Sequence, residues 1–327
     1  MRSKKFDRKK FPHILIILIL LFSIIFPILF VSDHNFSSCT IFTVTKDGSA
    51  FFANNEDEGL QNGRIWFYPS FNNKYGKLLF GYPIQHDVDV YVGGMNDQGL
   101  CFDMTMVDRT PINRDPNKID LQGAFFLQML DVCASVEDVK NWTQNYNLHL
   151  LTWQQVHIAD KNGDAIVIGL DSRGNFVINE KQGNYLISTN SFNLAQTRTH
   201  CWRYDLVEDR LDSLSSLTLE YCRDILEATK LSSTMYSYII NLNNGDIYLY
   251  SHKNFNDFAV INTFEEIGKG YHSYDIQTIV SQQSNVLFAA FNEELLLTVL
   301  FPSILLVTTI IALSLLIYYY KIKPLFH

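Results

Sequence analysis

SCTIFTVTKDGSAFFANNEDEG, residues 38–59, sets Cys39 at the head of a β-hairpin. From Thr40 the chain alternates through Ile41-Phe42-Thr43-Val44-Thr45, turns at Lys46-Asp47-Gly48 and resumes from Ser49 to Ala53, the pattern of two antiparallel strands joined by a tight turn. An apolar leader lies upstream. One cut between Ser38 and Cys39 would make the cysteine the first residue of a folded domain. Such a residue carries nucleophile and base together, because its own α-amine, with an ordinary pKa of about 8, can take the proton of its thiol. No distant histidine is then required.

Working outward, residues 1–10 hold the basic side chains Arg2, Lys4, Lys5, Arg8, Lys9 and Lys10 against Asp7, and residues 11–31 are almost wholly apolar. This reads as a signal sequence or an N-terminal anchor, its length closer to the roughly 20 residues of a membrane span than to the roughly 7–15 of a typical cleaved signal. A second uncharged run, residues 295–320, is interrupted only by Pro302 and followed by Lys321 and Lys323. It is long enough to span. Basic flanks before the first run and after the second place both ends in the cytoplasm and the intervening domain on the extracytoplasmic side. The division expected is a leader and propeptide over 1–38, one folded domain over 39–294, a transmembrane helix over 295–320 and a cytoplasmic tail over 321–327. No Pro/Gly/Ser-rich linker divides the central segment.

The formal charge is −8 although both ends are basic, so the central domain is distinctly acidic. Acidity of that kind disfavours nucleic acid as a partner. The five cysteines, Cys39, Cys101, Cys133, Cys201 and Cys222, form no CxxC pair. Setting Cys39 aside leaves four, open to two disulfides or to none. The nine histidines are scattered, with no His and carboxylate set at metal-ligand spacing, so neither a metal nor another cofactor is expected. Strands are predicted over 64–68, 78–82, 88–93 and 100–105, then helices over 123–133 and 136–144, the latter capped by Ser135. Strands follow over 156–159, 165–170, 176–179 and 185–189, helices over 198–213 and 218–229, and a late hairpin over 236–251. Strands, helices, strands, helices and strands again describe a layered α+β domain.

The segments CTIFTVTKDGSAFFANNEDEG, GGMNDQGLCFDM, HIADKNGDAIVI, YLISTNSFN and WRYDLVEDRL occur in this order. Together they resemble the choloylglycine hydrolase and penicillin V acylase group of N-terminal nucleophile hydrolases, linear amide hydrolases that also include acid ceramidase-like enzymes. The likeness covers about residues 39–264. It implies a four-layer αββα sandwich, cleavage of a small-molecule N-acyl amide without a cofactor, and Cys39 as the nucleophile. Asp57 matches the aspartate that bonds the cysteine and its amine, and Asn190 the asparagine that donates into the oxyanion hole. A second oxyanion donor is implied near Met106, as a backbone N–H. Arg203 matches the arginine at a helix start beneath the site, with Arg198 as the competitor. Many members carry arginine shortly before the aspartate, where this chain has Asn54 or Asn55. Asparagine keeps hydrogen bonding but not the charge, so thiolate stabilisation must come from elsewhere or be weaker.

Three other readings bear on the same residues. Asn96, in the turn GMNDQGL, reads as an architectural turn residue. A non-catalytic, membrane-anchored binding ectodomain could keep the fold without the chemistry. An acyltransferase would share every catalytic residue and replace water by an amine. Self-association into a homo-oligomer is left open.

Overall fold

The computed structural model describes residues 39–59, 62–84, 88–190, 201–284 and the single residue 309. Sixteen strands and six α-helices are defined among them. β1 (Thr40–Lys46) and β2 (Ser49–Glu56) form the predicted hairpin, with Lys46 paired to Ser49 across the two-residue loop Asp47-Gly48. Both loop residues have positive φ, 53° and 84°, the conformation that matches the twist of the flanking strands.

The hairpin sits inside a six-stranded sheet. β12 (Tyr185–Thr189) pairs with β1; β13 (Tyr236–Asn241) pairs with β2, and β14 (Asp246–Ser251) and β15 (Ala259–Asn262) follow outward. The eight-stranded sheet runs in the order β11 (Phe176–Glu180), β10 (Ala165–Leu170), β9 (Gln154–Ala159), β6 (Cys101–Met106), β5 (Val88–Asn96), β4 (Lys77–Ile84), β3 (Arg64–Tyr68) and β16 (His272–Asp275). A small parallel pair, β7 (Ile119–Leu121) with β8 (Tyr146–Leu148), stands apart.

Strand alternation assigns each residue to one of three cores. Ile41, Phe52, Phe67, Phe80, Tyr236 and Tyr238 pack between the sheets, where the Phe80 and Tyr238 rings stack 4.1 Å apart. Phe42, Val44, Phe51 and Ala53, on the opposite face of β1 and β2, meet α3 (Trp202–Asp212) and α4 (Leu219–Thr229). Leu79, Phe102, Val156 and Ile168 meet α1 (Phe125–Val132) and α2 (Val136–Thr143) on the far side. Helices, sheet, sheet and helices are the expected four layers. Burying one large side chain of this kind contributes about 1.5–3 kcal/mol, so each face of each sheet is held by several such residues.

Local chemistry sets the helix starts. Ser135 Oγ accepts from Asp138 N at 3.1 Å and Thr218 Oγ1 from Tyr221 N at 3.1 Å, satisfying amides that helix geometry leaves open. The helix expected over 198–213 is described from Trp202, and Arg198 and His200 lie outside the described residues. The short closing elements were not anticipated: β15, α5 (Thr263–Gly268), β16 and α6 (Ile276–Ser284) seal one edge of the sandwich. Cys101, Cys133 and Cys222 are free thiols, so the two-disulfide alternative is not realised. Among the described residues no helix is long and apolar enough to cross a membrane; the expected segments 11–31 and 295–320 lie outside them and rest on sequence alone.

Candidate active site

Cys39 sits one residue before β1, buried on the face that looks into the space between the sheets. Thr40 therefore faces the helices. There Arg203, on the first turn of α3, donates from Nη1 to the Cys39 carbonyl at 2.8 Å and to Thr40 Oγ1 at 2.7 Å. The same nitrogen lies 3.7 Å from Asp57 Oδ2, and Nη2 is 3.5 Å from Asn190 Oδ1. Asp57 follows β2, and its Oδ1 accepts from the Thr234 hydroxyl. Asn190, just after β12, donates from Nδ2 to the Met106 carbonyl at 3.0 Å. One buried guanidinium thus gathers Cys39, Asp57 and Asn190 from three separate segments of chain.

The placement refines several expectations. Met106 meets Asn190 through its carbonyl oxygen. Asn54 and Asn55 part company because neighbouring strand residues face opposite ways. Asn55 points to the helices, donating to Leu226 O at 2.9 Å and Thr229 Oγ1 at 3.1 Å, with Oδ1 accepting from Ser237 Oγ at 2.6 Å. Asn54 points between the sheets. Its Nδ2 donates to Asp103 Oδ2 at 2.8 Å and Glu56 Oε2 at 3.3 Å, so its amide hydrogens serve protein carboxyls and not a substrate. Asn96 is architectural: Nδ2 donates to the carbonyls of Leu130 and Cys133, and Oδ1 accepts from the amides of Gln98 and Leu100.

Two acids missed in the sequence stand beside the cysteine. Glu56 and Asp103 are fully buried, and Asp103 Oδ2 accepts from the Tyr238 hydroxyl as well as from Asn54. A Cβ on Gly93 would lie 2.4 Å from Asp103 Oδ2, so glycine leaves the room this carboxyl needs. Burial pushes Asp103 up to about 8, against hydrogen bonds from Tyr238, Met104 N and Asn54. Burial likewise raises Asp57 to about 7, against the Thr234 hydroxyl and the Arg203 charge. The Cys39 thiol is pushed well above its usual value by burial, then by the charges of Glu56, Asp103 and Asp57, with the Asp57 backbone N–H opposing. In this unprocessed chain the cysteine nitrogen is an amide. Arg203 faces Asp57, while Glu56 and Asp103 lie between the sheets with the Cys39 side chain; a freed Cys39 α-ammonium would add a positive charge among these acids.

His157 bridges the sheets close by, its Nε2 2.9 Å from Thr43 Oγ1 and Nδ1 2.8 Å from Ser188 Oγ. Burial lowers its pKa to about 3, so it stays neutral. Among the described residues no group of His, Cys, Asp and Glu has the geometry of a metal site. A cleft of about 360 Å³, lined by charged residues such as Glu137, Lys140 and Asp160, shares no residue with this constellation.

A two-sheet sandwich with a buried cysteine heading an inner strand, next to Asp, Arg and Asn, defines a hydrolase scaffold of the N-terminal nucleophile type. The model of the linear amide C–N hydrolases, choloylglycine hydrolase family, matches residues 39–220, and the chain belongs to that family. It is a hydrolase acting on the carbon–nitrogen bonds of linear amides. No curated protein matches it by sequence. Among solved structures, a cysteine-to-alanine mutant of the conjugated bile acid hydrolase from Clostridium perfringens is similar at 20% identity and TM-score 0.57, covering 72% of this chain and 96% of that one. An arginine-to-leucine variant of the same enzyme gives 19% and 0.55, covering 72% and 97%. Penicillin V acylase from Agrobacterium tumefaciens gives 14% and 0.46, covering 68% and 86%.

Proposed function

We propose that the mature chain hydrolyses a linear N-acyl amide through a thioester on Cys39. Cutting the Ser38–Cys39 bond frees the α-amine, which takes the thiol proton as Sγ attacks the substrate carbonyl. The tetrahedral intermediate collapses, the α-ammonium protonates the departing amine, and an acyl-enzyme remains. Water, losing its proton to the same α-amine, then releases the carboxylic acid and restores the thiol. Asp57 orients the α-amine. The Asn190 side-chain amide and a backbone N–H near Met106 serve the oxyanion, a contribution worth about a hundredfold or more in rate per donor. Arg203 holds Cys39, Asp57 and Asn190 in place.

The observation that carries this reading is the Arg203 network, because three of its contacts converge on the carbonyl of the proposed nucleophile and on both of its helpers, and a fourth holds the neighbouring Thr40 hydroxyl. The basic and apolar pattern of the two ends supports a membrane-anchored enzyme with its catalytic domain on the extracytoplasmic side. At a membrane surface, lipid-like acyl amides are the substrate class favoured. The test combines intact mass with activity: the mature protein begins at Cys39, and it cleaves at least one of N-acylethanolamines, N-acyl amino acids, conjugated bile acids or penicillin V. Activity surviving Cys39→Ala, or silence across the panel from a correctly processed chain, overturns the proposal.

A further inference from the structure

On β2 the residues facing between the sheets are Phe52, Asn54 and Glu56. The β1–β2 register pairs Thr40 with Asn55, so its next rung sets Cys39 directly against Glu56. Residues so opposed on one face have Cβ atoms about 4.5–5.5 Å apart. On its other side Glu56 pairs with Tyr236 of β13. Cys39, Glu56 and Tyr236 therefore form one transverse row, with the carboxyl in the middle. Glu56 is 1% exposed. Its Oε2 accepts from Asn54 Nδ2, whereas Oε1 is buried with no nitrogen or oxygen donor, and the carboxyl's other side-chain hydrogen bond is with Cys39.

A buried carboxyl oxygen without a donor is costly as an anion and useful as an acid. We propose that Glu56 serves the nucleophile as a neutral acid, its Oε1–H donating a hydrogen bond to the Cys39 thiolate where the arginine of many relatives is replaced by Asn54. The inference rests on Cys39 being the nucleophile. No proton leaves Glu56 in the reaction: the thiol proton goes to the α-amine, and Glu56 keeps its own. Asn54 complements the arrangement by donating to Oε2, which leaves Oε1 as the protonated oxygen.

The electrostatic surroundings favour the neutral form. Burial pushes the Glu56 carboxyl well up, reinforced by Asp103, Glu58 and Asp57 and opposed by its hydrogen bond with Cys39. The titratable groups around the row are Cys39 before β1, Asp57 and Glu58 after β2, Asp103 on β6, Tyr82 on β4 and Tyr236 on β13. An ionised Glu56 would repel the thiolate; a protonated one stabilises it. A buried carboxylic acid held neutral so that it can donate is a known catalytic device.

The experiment titrates the Cys39 thiolate by its ultraviolet absorbance, read as the difference between each protein and its Cys39→Ser counterpart, in the full chain. This needs no substrate, so it stands apart from the activity panel. With Glu56 present the thiolate appears in two steps, because thiol and carboxyl share protons. Glu56→Gln keeps a donor but cannot ionise, and gives a single step. Glu56→Ala removes the donor, and its thiolate fraction at neutral pH falls about ten- to a hundredfold, the usual weight of a hydrogen bond to a charged group. An identical curve for the parent and Glu56→Gln overturns the proposal. So does a Glu56→Gln protein with no thiolate at any pH at which it stays folded. The isosteric variant decides the matter even if Glu56→Ala fails to fold.

Discussion

Arg203 Nη1 donates to the Cys39 carbonyl at 2.8 Å, across 164 residues of sequence. The bond pins the backbone of the proposed nucleophile and leaves its side chain to the other face of the sheet. Replacing Arg203 by Met strands Asp57 as a buried acid and leaves that carbonyl without its donor. A loss of about 3–5 kcal/mol in stability is expected, read from the denaturant midpoint. Arg203→Lys keeps a charge but loses the fork that reaches several acceptors, so the fold survives and hydrolysis falls about tenfold or more.

Asp57 depends on Thr234 for its orientation. Thr234→Val removes a hydroxyl that lowers the Asp57 pKa, so the carboxyl titrates higher than about 7. The acid limb of the pH–rate profile then moves toward higher pH, and stability drops by about 1–3 kcal/mol. A profile with an unmoved acid limb would show that Asp57 does not govern the reaction.

Stability itself carries a pH signature. Asp103 and Asp57 are raised by burial to about 8 and about 7, and Glu56 is raised by burial as well, so the folded chain holds protons that the unfolded chain has released. Stability is therefore lost as pH rises through these values. His157, lowered to about 3, loses stability only on acidification below about 6.5, its unfolded value. The clean window is pH 6.5–8, where the unprocessed chain should lose several degrees of melting temperature. Asp103→Asn should flatten that slope.

Asn96 offers a contrast between architecture and chemistry. It braces the β5–β6 turn through two hydrogen bonds and ties it to the end of α1 through two more. Asn96→Ala should cost about 2–4 kcal/mol by chemical denaturation. Activity per folded molecule should stay within about twofold of the parent.

Much of the frame was legible because the signals are local. The Lys46-Asp47-Gly48 turn, the Ser135 cap and the alternation in β1 depend on near neighbours only. Cys39, Asp57, Asn190 and Arg203 came from the order of motifs, and the structure brings all four together. Asn54 was legible only as a departure. Its partner Asp103 lies on the other sheet, 49 residues away, and no local pattern announces that meeting. Glu56 carried a usable signal that its acidic neighbours hid: its parity with Phe52 and Asn54 puts it on the interior face, although NNEDEG reads as a solvated turn. The closing strands β15 and β16 are four residues each, too short for their period to stand out.

The strand that follows Cys39 is laced on both flanks, to β12 on one side and β2 on the other, and its rungs begin at Thr40. Severing the bond on the upstream side of Cys39 breaks none of those rungs. On the proposed maturation, the cut would therefore expose a reactive group at the head of a strand whose pairing with both neighbours is already in place.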